Sequence, residues 1–79
     1  MFEIENNEST PLLLILEPEG IEFLVLPEKL VTVESVGKED TVTCKYSRGS
    51  DGRTYISLWP TNDDEYQVLQ DGRNVLELV

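Results

Sequence analysis

What most constrains this chain is the rhythm of its apolar residues. No window holds them at i, i+3, i+4 and i+7, the spacing of one helical face. Short β-rich runs recur instead at roughly eight- to twelve-residue intervals between turn clusters, the pattern of small sandwiches and barrels. The runs are Phe2–Glu5, Leu12–Glu17, Ile21–Leu26, Leu30–Val36, Thr41–Ser47, Arg53–Trp59, Glu65–Gln70 and Val75–Val79. Between them lie clusters such as Asn6-Asn7-Glu8-Ser9, Glu17-Pro18-Glu19-Gly20, Arg48-Gly49-Ser50-Asp51-Gly52 and Asp71-Gly72. Their residues tolerate positive φ or bond their own backbone. Links this short predict antiparallel neighbours. The expected fold is all-β: a small antiparallel β-sandwich or flattened barrel of seven to eight short strands, meander-like, with one crossing between two sheets.

Alternation along the runs predicts their register. With Arg48–Gly52 as a loop, Tyr46 faces Thr54, Cys44 faces Ile56 and Val42 faces Leu58, a continuous apolar side. The other side, with Lys45 opposite Tyr55 and Thr41 opposite Trp59, is largely polar, as in a sheet wetted on one face. Around Glu17–Gly20, Leu16 faces Ile21, Leu14 faces Phe23 and Leu12 faces Val25, while Ile15 faces Glu22 and Leu13 faces Leu24. Both sides of Leu12–Leu16 are therefore apolar, which predicts either a central strand or a subunit interface; a homodimer would use Leu13, Ile15 and Leu24. Asp71-Gly72 is the strongest hairpin signal. It pairs Val68 with Val75 and Tyr66 with Glu77.

Seventy-nine residues make a single domain, 1–79. A chain this short buries only roughly 60–65% of the surface its unfolded form exposes. One cysteine, Cys44, permits no internal disulfide, and a free cysteine is expected inside as a small hydrophobe. The opening Met-Phe-Glu-Ile-Glu is acidic where a secretory leader is basic. The longest apolar stretch, Leu12–Leu16, is far too short to cross a bilayer. A cytoplasmic protein with no membrane partner is expected.

Sixteen acids oppose six bases, for a net charge of −10. Residues 1–28 carry seven acids and no base. Such a field repels nucleic acids and anionic membranes and draws basic partners; it also serves solubility.

Motifs for chemistry are missing. Histidine is absent, which removes the commonest general base and zinc ligand and any Ser-His-Asp arrangement. There is no phosphate-binding loop, dinucleotide fingerprint, paired-cysteine knuckle or nucleophile elbow. A two-carboxylate glycosidase mechanism needs a cleft with walls, which so small a domain rarely has. Asp63-Asp64-Glu65 lacks the alternating ligand spacing of a calcium loop and reads as a solvated turn. The expectation is no enzyme, no cofactor and no metal.

Two surface features point to binding instead. Tyr55 and Trp59 share a polar face with Lys45, and aromatics beside cations are common at binding hot spots; they equally suit stacking on a sugar, and Trp59 alternatively folds over the core edge. The second is an acidic skin that includes Glu17, Glu19, Glu22, Asp63, Asp64 and Glu65. Rows of carboxylates on strands present a nucleic-acid-like surface to a basic groove, as in acidic inhibitors and immunity proteins. The leading expectation is a non-catalytic domain that masks the basic surface of another protein, such as a nucleic-acid enzyme. The alternatives are a small ligand- or carbohydrate-binding module and a homodimeric structural subunit.

Glu17-Pro18-Glu19-Gly20, then Phe23, Leu26 and Pro27, and the closing Asp71-Gly72, resemble a class of short uncharacterised bacterial β proteins: a Glu-Pro-x-Gly turn, an aromatic-x-x-Leu-Pro strand and an Asp-Gly hairpin. Glu28-Lys29 stands where that pattern suggests another proline or glycine. The resemblance implies a β fold and a bacterial or phage origin, and brings no site residues with it.

Overall fold

Leucines at alternate positions of Leu12–Leu16, and valines at alternate positions of Leu30–Ser35, point one side of each strand into a common interior. The computed structural model describes residues 1–35, 42–60 and 65–78. Its strands are β1 (Phe2–Glu5), β2 (Leu12–Leu16), β3 (Ile21–Val25), β4 (Leu30–Ser35), β5 (Val42–Arg48), β6 (Thr54–Pro60), β7 (Tyr66–Gln70) and β8 (Arg73–Asn74), followed by a 3-10 turn, Val75–Glu77. They form two four-stranded sheets, ordered β1-β4-β7-β8 and β3-β2-β6-β5. One cluster fills the space between them: Val31, Val33, Val68 and Val75 from the first sheet and its end, and Leu14, Leu16, Phe23, Val25 and Leu58 from the second. Each such burial contributes roughly 1.5–3 kcal/mol relative to exposure. The fold is the expected small all-β sandwich.

Local chemistry explains the hairpins. β2 and β3 pair in the register read from the sequence, Leu16 with Ile21 through Leu12 with Val25, closed by Glu17–Gly20 with Gly20 at φ 71. Asp71 and Gly72 both take positive φ, 53 and 78, the turn geometry that suits the strand twist. The β7–β8 register also follows expectation, with Leu69 opposite Asn74 and Gln70 opposite Arg73.

Four expectations need correction. The Val75–Val79 strand does not form over the described residues, and Val68–Val75 and Tyr66–Glu77 do not pair. The Asn74 side chain instead accepts the Leu76 amide at 3.0 Å and starts the 3-10 turn, which drops Val75 into the core. The β5–β6 register lies two residues from the one expected: Tyr46 faces Ile56 and Cys44 faces Leu58. The Gly52 amide closes on the Gly49 carbonyl at 3.0 Å and the Arg53 amide on Asp51 Oδ1 at 2.9 Å, so the loop centres on Asp51. A two-residue shift keeps every side chain on its own face, so facing was legible although partners were not.

Third, the sandwich is not a meander. Only β2–β3, β5–β6 and β7–β8 are neighbours in both sequence and space, and β2 pairs with β6 in parallel. The chain passes between sheets four times, from β1 to β2, β3 to β4, β4 to β5 and β6 to β7. β2 and β6 are joined through the other sheet, so no short link imposes opposite directions on them. Fourth, Cys44 is exposed rather than buried. β5 is an edge strand exposed on both faces over most of its length; Cys44 keeps inward parity but has little opposite it.

Two polar clamps fix the ends of β2. At its start, buried Asn6 donates from Nδ2 to the carbonyls of Thr10 (2.9 Å) and Val25 (2.8 Å), and its Oδ1 accepts the Glu8 amide at 2.9 Å. At its far end, the Tyr66 hydroxyl on β7 donates to the Glu17 carbonyl at 2.8 Å and lies 3.1 Å from the Leu58 carbonyl, tying the two sheets together.

Candidate functional site

The two sandwich faces that point away from the core differ in chemistry. On the first sheet, odd positions of β1 put Glu3 and Glu5 outward, and Glu34 accepts a 2.9 Å hydrogen bond from its cross-strand partner Gln67. On the second sheet the outward residues form rows across four strands. Leu24, Leu13, Tyr55 and Ser47 make one row; Glu22, Ile15, Ser57 and Lys45 make the next; Trp59 and Thr43 begin a third. Leu24 is 53% exposed, and neither it nor Leu13, Ile15, Tyr55 or Trp59 packs against the core cluster. β2 is thus central in its sheet, yet its outward leucine and isoleucine are only half covered, by their own neighbours.

The parallel β2–β6 pairing brings together residues that the sequence offered as two separate features. Leu13 lies directly beside Tyr55 and Ile15 beside Ser57, with Leu24 and Lys45 on the flanking strands of the same rows. The ammonium of Lys45 sits 5.0 Å from the centre of the Trp59 ring, a cation–π geometry that occupies one face of the indole. Trp59 is half-buried, and its Nε1 is enclosed with no hydrogen-bond partner among the described residues. Lys45 lies opposite Ser57 rather than Tyr55, a consequence of the register difference.

The carboxylates divide. Glu22 belongs to the apolar face just described. Glu17 and Glu19, in the β2–β3 turn, line an open groove of about 580 Å³ together with Glu65, Leu16, Ile21, Pro60 and Leu76. Among the described residues, no base lines this groove. Its field acts on the neighbouring Tyr66 hydroxyl, which is pushed up to about 12, first by burial and then by the charges of Glu19 and Glu17. Asp63 and Asp64 lie outside the described residues.

A second concavity was not anticipated. Tyr46, Arg48 and Arg53 of the β5–β6 hairpin line a groove of about 470 Å³ against Glu5 and Glu8, and Tyr46 is 73% exposed. Residues 42–60 hold Lys45, Arg48 and Arg53 against Asp51, a net +2 within a chain of −10. That local excess of bases was legible in the sequence; the exposure of Tyr46 was not, because its parity points inward. Among the described residues no group of three or more acidic or cysteine side chains is placed to hold a metal ion, and no helix is long and apolar enough to cross a membrane.

No protein family, curated protein or solved structure matches this chain. The reading of function therefore rests on these surfaces.

Proposed function

We propose that this protein is a non-catalytic binding domain of the inhibitor or immunity type, which covers a basic surface of a cytoplasmic partner protein. One observation carries the reading: three carboxylates, Glu17, Glu19 and Glu65, line a groove together with apolar side chains, and no base lines it among the described residues. A lysine or arginine side chain has the matching anatomy, an aliphatic stem with a charged head. The stem lies on Leu16, Ile21 and Pro60, and the head meets the carboxylates. The surrounding negative charge steers such a partner inward, chiefly through the association rate.

The test is affinity capture from the native host at low salt, eluted with a salt gradient, followed by kinetics with the purified partner. A basic protein is expected, with an on-rate that falls steeply as ionic strength rises. Replacing Glu17, Glu19 and Glu65 together with glutamine should weaken it at least roughly tenfold. An on-rate indifferent to salt, or a triple variant that binds like wild type, refutes the groove as the docking site.

A further inference from the structure

We propose that the outer face of the β3-β2-β6-β5 sheet is a docking surface for a second copy of this chain, packed face to face about a twofold axis that runs along the strands between β2 and β6. That face carries two opposite charges. Among the outward residues of these four strands, only Glu22 and Lys45 are charged. They stand on one row, Glu22–Ile15–Ser57–Lys45, at opposite edges of the sheet. The proposed axis exchanges β3 with β5 and β2 with β6. Glu22 of each copy then meets Lys45 of the other, twice by symmetry, and Leu13 meets Tyr55.

Self-complementarity of this kind is what an isologous interface requires. It also selects the occupant. A basic partner meets Lys45 and an acidic partner meets Glu22, each with like charge; a second copy meets both with opposite charge. Between the two ion pairs lie Leu13, Ile15, Tyr55 and Trp59, half-covered in the monomer, with Leu24 more exposed. Lys45 is already held over Trp59, so little side-chain freedom is lost when it pairs.

The size of the face sets the strength. Four strands at ~4.8 Å and five residues at ~3.4 Å give a flat projection of about 19 by 17 Å. That is small beside the ~800 Å² of accessible surface per partner in a standard interface, so the dimer is concentration-dependent. This face is separate from the carboxylate-lined groove, and either reading stands if the other fails.

Sedimentation equilibrium over a concentration series at low salt tests the proposal. The mass of wild type should rise from 9.0 kDa towards twice that value. Lys45→Glu and Glu22→Lys should each weaken association at least roughly tenfold. Two rescues distinguish this geometry from a general charge effect: the doubly exchanged chain, and an equimolar mixture of the two single variants, should both associate as wild type does. Each substitution is at an exposed position, so folding is not at stake. Wild type that stays at 9.0 kDa into the millimolar range overturns the proposal. So do single variants that associate normally, or rescues that remain monomeric.

Discussion

Replacing Asn6 with alanine removes three hydrogen bonds from a side chain that is only 2% exposed. Nδ2 holds the carbonyls of Thr10 and Val25, and Oδ1 holds the Glu8 amide. Hydrogen bonds of this kind contribute about 0.5–1.5 kcal/mol each, so the loss is roughly 1.5–4.5 kcal/mol. The upper half of that range is expected, because the Val25 bond is buried and its carbonyl is left without that partner. A domain of this size has a total stability of about 4–12 kcal/mol. The variant should therefore lose about a third to a half of its stability, and its Tm should fall by roughly 12–36 °C. Urea denaturation followed by circular dichroism measures this directly. The midpoint should fall while the slope stays unchanged, since the same surface unfolds. The exposed neighbour serves as control: Asn7→Ala should stay within about 0.5 kcal/mol of wild type. Asn6→Asp sharpens the test. The carboxylate keeps an acceptor for Glu8 but faces two carbonyl oxygens, so burial and repulsion raise its pKa in the folded state above ~3.9. With a raised pKa, the variant is most stable below that value and loses stability as pH rises through the folded pKa. A loss below about 1 kcal/mol for Asn6→Ala, or an Asn6→Asp variant with wild-type pH dependence, would refute the clamp.

Two further outcomes follow from the same structure. Tyr66→Phe should cost about 0.5–1.5 kcal/mol at neutral pH through loss of the bond to the Glu17 carbonyl. Because the phenol is pushed up to about 12 in the folded state, its protonated form favours folding. That contribution is complete below ~10 and is lost as pH rises through about 12. Alkaline titration of stability should show this decline in wild type and a flatter profile in Tyr66→Phe; matching profiles would sink the assignment. Cys44 is exposed, so a thiol reagent should label the native protein without denaturant. Its pKa is raised by partial burial, so labelling should be slow at neutral pH and quicken as pH approaches the alkaline range. Labelling only upon unfolding would mean that β5 is covered.

How much was legible follows the range of the interactions. The β2–β3 register was readable because a short turn leaves Leu16 and Ile21 adjacent, and alternation then assigns every partner. The Asp71-Gly72 turn was readable because few residues adopt positive φ cheaply. The β5–β6 pairing was half readable: parity put Lys45, Tyr55 and Trp59 on one face, but the two-residue offset depended on Asp51 capping the Arg53 amide. The end of the chain went unread because Val75 prefers strand by propensity, whereas Asn74 turns it into a buried plug.

The sequence by itself determined β1 to β7, their inward and outward faces, the absence of histidine chemistry and the excess of acid. Each of these is a property of single residues or of segments a few residues long. Only the tertiary structure decided that β2 runs parallel to β6, which sets Leu13 and Ile15 beside Tyr55 and Ser57, and that Glu65 shares a groove with Glu17 and Glu19. It also decided that β5 overhangs at an edge, leaving Cys44 and Tyr46 in solvent. The reason is physical. Joining residues some forty positions apart costs loop-closure entropy that rises only slowly with length, so alternation within strands does not choose among distant partners. Mutual burial of the two sheets does.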